Sequence, residues 1–172
     1  MGPDTLEKFT VRTTVAADQP SVTTLLKVSY PVLMRSAYSP TVLSALLPLI
    51  TQANPTLLAS GTFYLAETQH KDVIGCGGWT RERPGTRQIE VELGHIRHFA
   101  THPAWMGQSV GRSIYTVCER AARAVGIKRL ECYSSLNAEG FYAALGFRSV
   151  RRLDVPLVLG HSIPSVLMER IL

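Results

Sequence analysis

Cysteine is scarce in this chain, and the three present (Cys76, Cys118 and Cys132) lie far apart and are odd in number. That excludes a disulfide framework as the basis of the fold. Neither their spacing nor neighbouring histidines suggest a zinc site, so reduced thiols in the interior are expected. Long hydrophobic runs are also missing. Leu43 to Ile50 is among the longest, and Pro48 interrupts it, well short of the roughly 20 apolar residues a membrane helix needs. The N-terminus shows no basic region followed by an apolar core, and Leu6 stands where a myristoylation site needs Ser or Thr. The expectation is a cytoplasmic protein without membrane contact.

Charge is modest and acid-poor: 18 Lys and Arg against 13 Asp and Glu, a net charge of +5. Arginines gather at Arg81, Arg83 and Arg87 and again at Arg148, Arg151 and Arg152. No aromatic-interleaved basic motif or helix-turn-helix pattern accompanies them, so nucleic acid is a weak candidate and an anionic small ligand explains the charge at least as well. With 172 residues and 45% apolar composition, the chain suits one globular domain over residues 1–172, large enough for a core of its own.

The most informative stretch is Trp105-Met106-Gly107-Gln108-Ser109-Val110-Gly111-Arg112. It follows an apolar segment ending Phe99-Ala100-Thr101-His102-Pro103 and leads into Val110, Ile114, Val117, Cys118, Ala121 and Val125, one apolar helical stripe that Gly126 ends. Such a strand, small-residue turn and helix N-terminus can hold a phosphate, because glycine lets the backbone approach and the first helical N–H groups have no partner within the helix. Any α/β protein also has glycine near such a junction. The glycines lack the Lys-Ser/Thr of a Walker loop and the spacing of a dinucleotide fingerprint.

Elsewhere, Phe9 to Val15 reads as a strand. Asp18 and Ser21 are candidate caps for a helix through Val22, Leu25, Leu26 and Ser29 that Pro31 kinks or breaks. A second helix follows Ser39-Pro40 and ends before Pro48. Phe63 to Glu67 and Val73 to Trp79 form an antiparallel hairpin, followed by a Thr80 to Gln88 loop. Ile89 to Thr101 reads as a long strand whose apolar phase changes near Gly94. A bulge at Gly94-His95 or a strand buried on both faces gives that pattern equally well. Arg129 to Ser134 is a strand, Ala138 to Leu145 a short helix, and Val150 to Val158 and Ser165 to Ile171 close the chain as strands.

This element order resembles the GNAT superfamily of acyl-CoA-dependent N-acyltransferases. Two segments carry the resemblance: Ile96 to Arg123, with the strand ending in Pro before the loop, and Ser135-Leu136-Asn137-Ala138-Glu139-Gly140-Phe141-Tyr142-Ala143-Ala144-Leu145-Gly146-Phe147, similar to the family's Phe-Tyr-x-x-x-Gly-Phe signature. The resemblance implies a mixed, splayed, mostly antiparallel sheet of about seven strands flanked by helices on both faces. It implies acetyl-CoA as co-substrate, an amine acceptor and direct transfer, with a homodimer as a possible assembly. Acetyl-CoA would be held by main-chain groups of Phe99, Ala100 and Thr101, by the loop Met106, Gly107, Gln108, Ser109, Val110, Gly111 and Arg112, and by Asn137. Met106 and Ser109 replace the family's usual polar residue and glycine.

By the same resemblance Tyr142 protonates the departing thiolate. From the residues alone it could equally be a core aromatic. His95 falls where some family members carry a general-base glutamate, and Glu92 is the alternative base; a structural histidine is an equal reading for His95. His98 and His102 read as surface or turn residues. The rival function, which Met106 and Ser109 favour, is a non-catalytic acyl-CoA-binding regulatory domain.

Overall fold

The computed structural model describes residues 8–172. Seven strands form one sheet: β1 (Thr10–Thr13), β2 (Phe63–Glu67), β3 (Val73–Thr80), β4 (Leu93–Thr101), β5 (Arg129–Ser135), β6 (Arg148–Pro156) and β7 (Ser162–Ile171). Their order is β1-β2-β3-β4-β5-β7-β6, antiparallel everywhere except between β4 and β5. The parallel pair follows from topology: α4 (Val110–Ala124) is the crossover that such a pair requires.

Alternating strand residues feed two cores. On one face, Tyr64, Ile74, Trp79, Ile96, Leu130, Cys132 and Met168 pack against Ile114 and Cys118 of α4 and Tyr142 of α5 (Glu139–Ala144). On the other, Phe63, Leu65, Cys76 and Ala100 pack against Val22, Leu25 and Leu26 of α1 (Gln19–Met34), with Leu57 and Leu58 of α3 (Pro55–Leu58). All three cysteines are free and buried, as expected. Among the described residues no helix is long and apolar enough to cross a membrane.

Neither proline breaks its helix. α1 runs through Pro31, and α2 (Pro40–Ile50) runs through Pro48. In each case the carbonyl left without a donor belongs to an exposed residue four positions earlier, Lys27 or Ser44, where water can satisfy it. Asp18 does precede α1, but makes no side-chain capping bond to that helix. Its carboxylate instead accepts from the Val15 N–H and the Arg12 guanidinium.

The long strand is shorter than expected. Residues 89–92 lie outside it, with Ile89 63% and Val91 86% exposed. No bulge lies at Gly94-His95. Leu93, Gly94, His95 and Ile96 are all buried, so two-faced burial explains the phase change. The bulge falls later: Arg97 pairs with Gly78 and Ala100 with Cys76, leaving His98 and Phe99 opposite Gly77. His98 takes a left-handed φ of 48° there. A Cβ on Gly77 would stand 2.5 Å from the Phe99 ring, so the bulge needs glycine on the facing strand.

Candidate active site

Strands β4 and β5 pair only from Leu93 to His95 and from Arg129 to Glu131. Beyond His95 the two strands no longer pair, so among the described residues the β4 main chain from Ile96 to Thr101 has no strand partner on the β5 side. Ala100 is buried, and the Phe99 side chain packs against Phe141 and Tyr142. From the opposite face, the α1 residue Tyr30 donates its hydroxyl to the Phe99 carbonyl at 3.5 Å.

The loop before α4 leads into the same opening. Gly107 and Ser109 have φ of 73° and 64°, which turn the chain sharply into the helix. Among the described residues no carbonyl takes a well-formed hydrogen bond from the main-chain N–H groups of Gly107, Gln108, Ser109, Val110, Gly111 or Arg112. The first helical bond is from the Ser113 N–H to the Ser109 carbonyl at 2.9 Å. Six consecutive free donors at the positive end of a helix dipole form a cradle for an anion. The side chains contribute less. Met106 is 52% exposed, Gln108 donates to the Ala104 carbonyl, and Val110 is a core residue. Arg112 is exposed beside the cradle. Gly111 has a reason not visible in the sequence: a Cβ there would come within 2.9 Å of the Phe141 ring.

Asn137 precedes α5, and its Oδ1 is buried without a hydrogen-bond partner among the described residues. Tyr142 is 6% exposed, ringed by Phe99, Phe141 and Phe147, and makes no side-chain hydrogen bond among the described residues. Burial, with smaller contributions from Cys132 and Tyr30, raises its pKa well above the ordinary phenol value, so the hydroxyl keeps its proton. An unpaired β4 edge, free N–H groups, an unpartnered amide oxygen and a neutral phenol together suit a ligand with a pyrophosphate and an amide-bearing arm.

The two candidate bases are not equivalent. Glu92 sits in a turn ahead of β4 with φ of 62°. Its main-chain carbonyl accepts the N–H groups of Lys128 and Arg129, and its carboxylate pairs with Lys128 at 2.9 Å. It lies at the closed end of the β4–β5 pair, seven residues or about 23 Å of strand from Phe99. His95 is on the strand itself and 2% exposed. It lines a narrow crevice with Pro84, Glu131, Tyr133 and Leu167. Its Nδ1 is 3.8 Å from Glu131 Oε2, while its Nε2 and that same carboxylate oxygen have no hydrogen-bond partner among the described residues. Burial first, then the guanidinium groups of Arg83, Arg97 and Arg129, push the imidazole down to about 4. His95 is therefore neutral at physiological pH.

Glu131 and Arg97 were missed from the sequence. A charged residue between Leu130 and Cys132, and another two positions after His95, were the available signals. Around Glu131 the face carries a ladder of charge: Arg129 contacts Glu90 at 3.2 Å and Glu169 at 3.3 Å, and Arg148 pairs with Glu169. Among the described residues no cluster of His, Cys, Asp and Glu could hold a metal ion.

Comparison with known proteins agrees with this geometry. A family model described as Acetyltransferase (GNAT) domain matches residues 59–149. The search of curated proteins finds no match. Among solved structures, a GCN5-related N-acetyltransferase from Rhodopseudomonas palustris superimposes with a TM-score of 0.77 at 20% identity, covering 99% of this chain and 100% of that one. The PaiA N-acetyltransferase from Thermoplasma acidophilum, solved with coenzyme A, gives 0.70 at 14% identity over 95% and 99%. The ribosomal-protein-S18-alanine N-acetyltransferase from Escherichia coli gives 0.61 at 14% over 94% and 92%. At these identities the likeness is one of fold.

Proposed function

Because the chain belongs to the GNAT acetyltransferase family, we propose that it transfers the acetyl group of acetyl-CoA directly to a primary amine, without a covalent enzyme intermediate. The observation that carries this reading is the run of free N–H groups from Gly107 to Arg112, opening beside the unpaired edge of β4. A pyrophosphate on that cradle lets the pantetheine arm run along Phe99 to Thr101, with Asn137 beside it. The Thermoplasma neighbour's coenzyme A supports this choice of ligand.

The amine nitrogen attacks the thioester carbonyl carbon, and the oxygen that gains charge faces the Phe99 N–H. As the C–N bond forms the nitrogen becomes acidic, and its proton passes to the unpartnered Nε2 of His95. Four residues of strand separate His95 from Phe99, about 13 Å, so a solvent bridge completes the path. The C–S bond then breaks, and Tyr142 gives its proton to the departing thiolate. Solvent returns the proton from His95 to Tyr142.

The test is a screen of amines and peptides with acetyl-CoA and detection of free thiol. Amine-dependent thiol release supports the reading. Acetyl-CoA binding with no release across the panel identifies a binding domain that has kept the fold.

A further inference from the structure

Arg97 is the one arginine among the described residues that is partly buried and has no carboxylate within 4 Å. Arg12, Arg83, Arg129 and Arg170, also partly buried, all have acidic partners. The remaining unpaired arginines are exposed. Its one hydrogen bond goes from Nη1 to the neutral hydroxyl of Thr80 at 3.1 Å. Glu82 is near enough to act on it through space, but is exposed and makes no ion pair with it. A guanidinium held partly out of water without a counter-ion is costly, and it keeps its proton.

Its position gives that cation a purpose. Arg97 and His95 are two residues apart on a regular stretch of β4, so both side chains leave the same face of the sheet. Thr80, which Arg97 contacts, is the cross-strand partner of His95. The guanidinium thus lies beside the imidazole whose Nε2 is buried and unpartnered. Immediately after Arg97 comes the bulge that presents Phe99. Any amine placed between His95 and Phe99 therefore has Arg97 as its neighbour. Successive same-face positions on a strand are about 7 Å apart, which fits an amine and an anion separated by only a few bonds.

We propose that the acceptor is a small amino acid whose free carboxylate is held by Arg97 while its amine faces His95. This rests on the transferase reading above and adds the substrate class to it. The carboxylate supplies the missing counter-ion, and the guanidinium fork can take it with two parallel hydrogen bonds.

The experiment uses each of the common amino acids, with β-alanine, paired with its own amide, which keeps the amine and removes the negative charge. Binding to the coenzyme A-saturated protein is measured by calorimetry, and turnover with acetyl-CoA by thiol release. For accepted side chains the acid should exceed its amide by about 10- to 100-fold in kcat/KM and in affinity, the usual worth of a charge-assisted pair. Arg97→Gln, checked for an unchanged melting temperature and acetyl-CoA affinity, should remove that preference. Equal values for acid and amide, or a preference that survives Arg97→Gln, overturn the inference and leave the transferase reading intact. Arg97-dependent binding of the acids with no turnover of any amine supports the carboxylate site and defeats the proposed reaction. Absence of both binding and turnover across the panel overturns the inference.

Discussion

The two halves of the candidate site are built from different material. On the α4 side the chain offers main-chain N–H groups, while its side chains are turned to packing or loop closure: Val110 into the core and Gln108 onto Ala104. On the β4–β5 face the chain offers side chains: His95, Arg97 and Glu131 on adjacent strands. A site made of backbone tolerates substitution, which is why Met106 and Ser109 can replace the usual residues without removing the cradle. A site made of side chains does not, and its identity decides what is bound.

The largest expected effect separates chemistry from binding. Tyr142→Phe removes only the hydroxyl from a ring that packs against Phe99, Phe141 and Phe147. Turnover should fall by about 10²- to 10⁴-fold with little change in acetyl-CoA affinity. Wild-type turnover in this variant would make Tyr142 a packing residue.

Next comes His95→Gln, expected to cost about 10²-fold in turnover. Because His95 is depressed to about 4, the loss should be uniform from pH 6 to 8, whereas an ordinary histidine would give a limb near 6.5. The same shift acts on stability. The unfolded chain takes up the proton near 6.5 while the folded one resists it until about 4. Wild type therefore loses stability as pH falls through that window, by up to about 3 kcal/mol. Melting curves against pH should show that slope in wild type and a flatter one in His95→Gln. Parallel slopes would contradict the buried, neutral imidazole.

Two smaller effects probe the backbone side. Gly111→Ala places a Cβ within 2.9 Å of the Phe141 ring. Overpacking of this kind costs about 1–3 kcal/mol, so the melting temperature should drop by roughly 2–10 °C. An unchanged melting temperature would show that Phe141 yields freely. Ser109→Gly relieves a left-handed residue and should raise the melting temperature by about 2–4 °C, with acetyl-CoA affinity held within about threefold. A tenfold loss of affinity would make the Ser109 hydroxyl a ligand in its own right.

The same contrast explains what the sequence revealed. The loop, the α4 stripe and the Phe141-Tyr142 signature are local patterns, and each could be read from consecutive residues. The hairpin of β2 and β3 was also readable, because its two strands are joined by a short polar turn. Of the two readings of the phase change near Gly94, burial on both faces held, while the bulge at His98-Phe99 left no mark on the apolar pattern. Glu92 stood as the alternative base to His95; only the start of β4 at Leu93 put it in a turn, paired with Lys128. Arg97 could not be singled out among the arginines of this chain, because what distinguishes it is the absence of a partner in three dimensions. Gly111 was read as letting the backbone approach a ligand, and nothing in the sequence showed that it also makes room for Phe141.

The proposed division between a backbone-built cofactor side and a side-chain-built acceptor side is tested most directly by one calorimetric titration, acetyl-CoA into the His95→Gln, Arg97→Gln, Tyr142→Phe triple variant. The account predicts an affinity within about threefold of wild type, since the cradle from Gly107 to Arg112 is untouched. A loss of tenfold or more in a variant that still melts cooperatively would contradict it, by showing that these side chains hold the cofactor.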